Sequence, residues 1–238
     1  VGRQIPLIVG ISTPSSMTAG QLALAATEGG ASALLVFPPD SMSLGGQQRP
    51  EMAIAHFDHI VGQTDLPLIL FQYPISSGLG YPLPTLLELC HRFPSIRAIK
   101  DWCNDPVLHE RHIRELHALD SPVAVLSTHS AWLLSSLVLG CDGLLSGAGS
   151  VIAPLQVNMW QAIQDKNLLL AQDISDRLYH LTRAFYCYPL LDMHNRMKEA
   201  LVLLGRLPAA HVRPPLVRLA IEEVKDIEQR LELAGLGE

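Results

Sequence analysis

Ser95-Ile96-Arg97-Ala98-Ile99-Lys100-Asp101 is a short apolar run that ends on a lysine followed by an aspartate. A run of this length behind Pro94 reads as a buried β-strand. Its last position is the unusual one. The chain has four lysines, and Lys166, Lys198 and Lys225 lie in stretches patterned as amphipathic helices, where an ammonium is solvated. Burying an ammonium without a partner is costly and lowers its pKa. A lysine that is partly neutral near pH 7 attacks carbonyl carbon and forms a Schiff base. The alternative is a strand-end lysine that reaches solvent or pairs with Asp101.

Working outward, comparable runs occur at 5–10, 31–37, 66–71, 123–127 and 143–146, each nearly all apolar and bounded by Pro, Gly, Ser or Asp. Strands covered on both faces read in this way. Helical patterns lie between them at 18–29, 49–63, 83–92, 106–118 and 130–139. Thr18 is placed to cap the first and Pro84 suits the first turn of the third. Strand–helix alternation predicts parallel strands joined by crossovers. After the last strand the pattern is helical from about 155 to 235, with no linker or composition break. Six strands fit either part of a barrel, which closes at eight, or an open doubly wound sheet. The open sheet predicts a phosphate ligand, but G-x-G-x-x-G is absent after the first strand. Gly147-Ala148-Gly149-Ser150 is only a partial match and reads as a Gly-rich turn.

Composition narrows the function classes. The chain has 238 residues, 48% hydrophobic and 17% charged, which fits a globular α/β protein. A net charge of −6 offers no basic surface for nucleic acid, and no apolar run is long enough to cross a bilayer. Cys90, Cys103, Cys141 and Cys187 are scattered without a C-x-x-C pair, as in a reduced, cytoplasmic protein. The opening Val1-Gly2-Arg3-Gln4 has neither Met nor the pattern of a signal peptide, which suggests trimming or a fragment.

Leu68-Ile69-Leu70-Phe71-Gln72-Tyr73-Pro74, then Gly78, then Ile96-Arg97-Ala98-Ile99-Lys100-Asp101 resembles the dihydrodipicolinate synthase/N-acetylneuraminate lyase family. There, a strand ending in a Tyr-Asn-x-Pro-type motif precedes one ending in Ile-Lys-Glu. Pro6-Leu7-Ile8-Val9-Gly10, Leu35-Val36-Phe37-Pro38-Pro39 and Leu139-Gly140-Cys141-Asp142-Gly143-Leu144-Leu145-Ser146-Gly147 resemble the family's third, fourth and eighth strands. Val212-Arg213-Pro214-Pro215-Leu216 resembles the link between its terminal helices. The resemblance implies a TIM (β/α)8-type barrel that begins at family strand three and so lacks two strands. A partial barrel over 1–152 would share one domain with a helical extension over 153–238, usually in a homotetramer. Such a six-strand arc would expose two parallel edges.

The resemblance also implies that Lys100 forms an imine with pyruvate or a longer 2-keto acid, with no cofactor and no metal. Two departures bear on that chemistry. The family's proton-relaying tyrosine aligns with Phe71, which has no proton to give. Tyr73, two residues on, shares the strand face if the strand continues, but Pro74 suggests a turn and a packing role. The arginine that binds a distal carboxylate in the dihydrodipicolinate branch aligns with Ser76, and Asp40 replaces a common tyrosine. Lysine biosynthesis is therefore not the expected role. Thr128 and His129 are candidates to bind substrate and move protons, since barrel sites gather at that end of the strands. A capping histidine is the plainer role for His129. Backbone near Leu145 and Gly147 is the candidate cradle for the substrate carboxylate.

His109 and His112 fall at i and i+3 on one helical face, but His-Glu-Arg-His is not a metalloprotease motif. They read as a solvated face, as do His56 and His59. The segment Ser12-Thr13-Pro14-Ser15-Ser16 reads as a loop entering a helix, and nothing resembles a hydrolase elbow. The sequence thus points to a Schiff-base aldolase or dehydratase. The alternatives are a family member that lost its proton relay and acts as a binding or regulatory protein, and an open-sheet phosphate binder.

Overall fold

Each of the six apolar runs forms a strand, and four start later than the pattern suggests. The strands are β1 Ile8–Ile11, β2 Ala33–Val36, β3 Leu68–Gln72, β4 Ile96–Asp101, β5 Ala124–Ser127 and β6 Gly143–Leu144. Pro6 and Pro67 lack the N–H that a ladder needs, which accounts for the trimmed starts of β1 and β3. The computed structural model describes residues 4–237, so Val1, Gly2 and Arg3 at the Met-less start lie outside the described residues.

The helices are α1 Ser16–Glu28, α2 Pro50–Val61, α3 Leu83–Arg92, α4 Pro106–His117, α5 Leu133–Val138, α6 Gly149–Gln164, α7 Leu168–Phe185, α8 Met193–Leu203 and α9 Ile221–Leu233. Three expectations change. Ser15, not Thr18, caps α1: the Ser15 hydroxyl accepts the Thr18 N–H at 3.4 Å. The helix expected over 130–139 is a 3₁₀ turn, Ser130–Trp132, followed by the short α5. The stretch 204–220 is not helical, and Pro208, Pro214 and Pro215 explain the break.

All strands are parallel, in the order β1-β2-β3-β4-β5-β6. That order decides between the two α/β architectures left open by the sequence. A doubly wound sheet reverses strand order and binds ligands at the reversal. Here no reversal occurs among the described residues, so the open-sheet phosphate site does not arise, and Gly149 simply begins α6.

Two compact units account for the chain. The first comprises Val1–Ser127 with Leu139–Leu144, and holds the whole sheet. Leu34, Leu68, Leu70, Ile99 and Val125 are fully buried along its strands. Burial stabilises each such side chain by about 1.5–3 kcal/mol. Outside the sheet, α1 and α2 approach at Gly20, where a Cβ would stand 2.8 Å from the His59 carbonyl oxygen. His56 of α2 lies against Ser16 of α1, its Nδ1 3.0 Å from the hydroxyl. It is buried rather than solvated, and burial lowers its pKa to about 4, so it packs as a neutral ring. His59 is exposed, as expected.

The second unit comprises Thr128–Val138 and Leu145–Glu238. Its centre includes Leu155 and Met159 of α6, Leu178 and Leu181 of α7, and Ile227 and Leu231 of α9. Arg196 of α8 is its one large buried cation among the described residues.

Candidate active site

β4 carries Lys100 at its penultimate position, paired with Phe71 of β3 on one side and Leu126 of β5 on the other. Successive side chains of a strand point to opposite faces, so Lys100 and Asp101 cannot share a face. The expected alternative pairing of Lys100 with Asp101 is therefore not made. Lys100 is half-buried, and among the described residues its ammonium has no ion pair and no hydrogen bond. Its neighbour is an aromatic face: Nζ lies 4.4 Å from the centroid of the Phe71 ring. Burial pushes the Lys100 pKa below the ordinary lysine range. The ring acts in the opposite sense, since a cation over an aromatic face gains about 0.5–2 kcal/mol. It does so for an ammonium and for a protonated imine alike.

Phe71 sits in an aromatic cluster. Phe37 meets it edge-on at 4.9 Å, Tyr73 lies tilted against it at 4.3 Å, and Trp102 stands 5.5 Å from Tyr73. Tyr73 thus packs on the same ring that Lys100 lies over. It falls one residue beyond β3, which ends at Gln72. Burial, and after it the charge of Asp40, raises the Tyr73 phenol pKa. Asp40 is exposed at the start of the 3₁₀ turn Asp40–Leu44 that follows β2, and Ser76 is exposed on the turn Ile75–Ser77 after β3.

Gln72 was not singled out by the sequence, yet it fixes this loop. It is fully buried, its Nε2 donates to the Tyr81 carbonyl at 2.9 Å, and its Oε1 accepts the Tyr81 N–H at 3.1 Å. Both amide ends are satisfied, which ties the 73–81 loop back to the strand. Gly78 completes the turn in the left-handed region, with φ at +76°, and a Cβ there would lie 2.1 Å from the Ser43 carbonyl oxygen. Gly78→Ala combines backbone strain with a backbone clash. It is expected to cost about 2 kcal/mol or more, read as a lowered urea midpoint with unchanged slope.

The other face of β4 is polar and buried. Asp101 Oδ2 lies 2.8 Å from Nδ1 of both His109 and His112 on α4, and Oδ1 accepts the Cys103 N–H at 2.8 Å. Burial alone would raise the Asp101 pKa, but the two histidine hydrogen bonds outweigh it and hold the carboxyl well below the usual range. An ionised carboxylate only accepts, so both imidazoles donate to it. His109 and His112 are thus fully buried, not the solvated face their spacing suggested. The i, i+3 spacing was correctly placed on one face, but the partner that draws both rings inward came from a strand.

Four further candidates lie in the second unit. Thr128 precedes His129, which is buried and stacks on Trp132 with ring centroids 4.0 Å apart. His129 occupies the cap position of the Ser130–Trp132 turn, but its side chain makes no capping hydrogen bond there. Leu145 and Gly147 flank Ser146, whose hydroxyl meets that of Ser130 and also accepts the Ala148 N–H at 3.2 Å. The pair Ser130–Ser146 thereby brings the 128–130 segment to the 145–147 turn. His194 Nε2 would lie 3.6 Å from a Cβ at Gly147. Within the first unit, the structure brings together Lys100, Phe71 and Tyr73. Within the second, it brings Thr128 and His129 to Leu145 and Gly147.

Residues 1–234 match the model of the Dihydrodipicolinate synthetase family. The chain is 28% identical over 237 residues to a 4-hydroxy-tetrahydrodipicolinate synthase of Prosthecochloris aestuarii, covering 99% of this chain and 75% of that protein. It is 26% identical over 217 residues to the putative 2-dehydro-3-deoxy-D-gluconate aldolase YagE of Escherichia coli, covering 90% and 69%. The crystal structure of YagE in complex with pyruvate superposes with a TM-score of 0.88 at 23% identity, covering 98% of this chain and 76% of that one. At that identity the superposition speaks for the fold.

Proposed function

The chain belongs to the dihydrodipicolinate synthetase family, and from that premise we propose that it is a Schiff-base lyase, an aldolase or dehydratase acting on pyruvate or a longer 2-keto acid. The observation that carries the reading is Lys100: a half-buried lysine at the end of a central strand, with no ionic partner among the described residues and an aromatic ring beneath it. The neutral amine attacks the keto carbon, the C–N bond forms, and the carbonyl oxygen leaves as water after two proton transfers. The protonated imine is an electron sink. It accepts the electron pair left when a C3 proton or the C3–C4 bond departs, and the enamine so formed can return that pair to expel a C4 hydroxyl, which leaves as water once protonated.

Phe71 supports the cation at that stage but moves no proton. Tyr73 is the hydroxyl-bearing ring of the cluster, packed on Phe71, and a phenol is a protonated donor at neutral pH. Thr128 and His129 are the further candidates for substrate contact and proton transfer. Backbone at Leu145 and Gly147 is the candidate carboxylate cradle, while Asp40 and Ser76 line loops that would set substrate choice. No arginine stands at 76, and a substrate with a second carboxylate loses that partner.

Phe71 also favours a second reading, in which the imine forms but goes no further and the protein binds or senses keto acids. Solvent deuterium exchange at C3 of pyruvate, followed by NMR, separates the two. The lyase reading expects exchange that depends on Lys100 and slows about tenfold or more in Tyr73→Phe. Imine formation without exchange, for pyruvate and for longer 2-keto acids, would favour the binding protein.

A further inference from the structure

We propose that the buried face of β4 opposite Lys100 is a metal site, in which Asp101, Cys103 and His109 bind a borderline divalent cation of the zinc type. These three side chains each offer one ligand atom, all within 4.8 Å of one another, and they are 0%, 3% and 0% exposed. One carboxylate oxygen, one sulfur and one imidazole nitrogen are each donors that zinc takes, and with three protein ligands the fourth tetrahedral position falls to water. Magnesium and calcium prefer oxygen alone.

Charge favours the same occupant. Without a cation, the Cys103 thiol donates its proton to the Asp105 carbonyl at 3.3 Å. A divalent ion reverses this by displacing the thiol proton to solvent. One thiolate, one carboxylate and the dication then sum to zero, which removes the cost of a buried net charge. The surrounding hydrogen bonds suit that state. His109 also bonds Cys141, which can hold the ring proton on that side while the opposite nitrogen turns its lone pair to the metal. His112 keeps its bond to the Asp101 carboxylate and orients it. Its own Nε2 is buried with no hydrogen-bond partner.

The site joins the carboxyl end of β4 to α4, on the side of the strand away from Lys100. It would fix the strand end that carries the lysine, with no part in the imine chemistry itself.

Metal content of the tag-free protein, grown with zinc and dialysed exhaustively, tests the assignment. About one zinc per chain is expected. Cys103→Ser and His109→Gln should lower it at least about tenfold, in line with loss of a ligand, while the exposed His117→Gln leaves it unchanged. Because a buried variant can fail to fold, wild-type protein stripped of metal is also titrated with cobalt(II). A thiolate-to-cobalt charge-transfer band and tetrahedral visible bands are expected. Folded wild-type protein with neither zinc nor that band would overturn the proposal, as would zinc retained equally by folded Cys103→Ser.

Discussion

Lys100→Ala removes turnover while leaving the fold intact. With the amine gone, no imine forms, and exchange or cleavage of any 2-keto acid substrate falls by at least about 10³-fold, equal to about 4 kcal/mol of barrier. Stability should change by less than about 1 kcal/mol. The side chain is only half-buried and gives up neither a hydrogen bond nor an ion pair among the described residues. A structural lysine would show the opposite pattern, with stability lost and any activity falling only in proportion to unfolding. Lys225→Ala, on the exposed face of α9, serves as the control and should alter neither. Activity assays set beside urea unfolding decide the matter.

Arg196→Ala produces the largest loss of stability. Arg196 is 1% exposed, its Nε donates to Glu223 at 2.6 Å, and its Nη1 donates to the Cys187 and Pro189 carbonyls at 2.8 and 3.1 Å. The guanidinium thereby ties α8 to α9 and to the loop after α7. Truncation leaves one carboxylate and two carbonyls without their donor. Breaking a buried pair in this way costs about 3–5 kcal/mol, or about 6–20 °C in Tm for a chain of this size. Arg196→Lys retains the charge but cannot reach three acceptors from one ammonium, so it should recover only part of the loss. Glu223→Gln, at a partly exposed carboxylate, should cost only about 1 kcal/mol. A Tm unchanged in Arg196→Ala would refute this account of the second unit.

The strands and the lysine were legible because both rest on strong local signals. Buried parallel strands read as short apolar runs, and a charge at the end of one stands out against them. Strand order was not legible, since six such runs fit two topologies and only the pairing distinguishes them. Thr18 and Ser15 show a smaller limit: both can cap, and the choice depends on a backbone turn that one residue type does not specify. The histidines of α4 show the larger one. Their spacing places them on one face, but whether that face meets water or sheet depends on Asp101, eight residues before His109 and in a different element. Gln72 escaped notice for the same reason, because its two hydrogen bonds close onto Tyr81 across a loop. Residues whose role is made by a non-local partner carry little signal in their own neighbourhood.

The central claim is tested most directly by borohydride trapping. The protein is incubated with pyruvate and borohydride, digested, and mapped by peptide mass spectrometry. The account predicts a reduced pyruvyl adduct on the peptide that carries Lys100, absent from Lys100→Ala and absent from Lys166, Lys198 and Lys225. Folded protein that gives no adduct on Lys100, with pyruvate or with longer 2-keto acids, would contradict it.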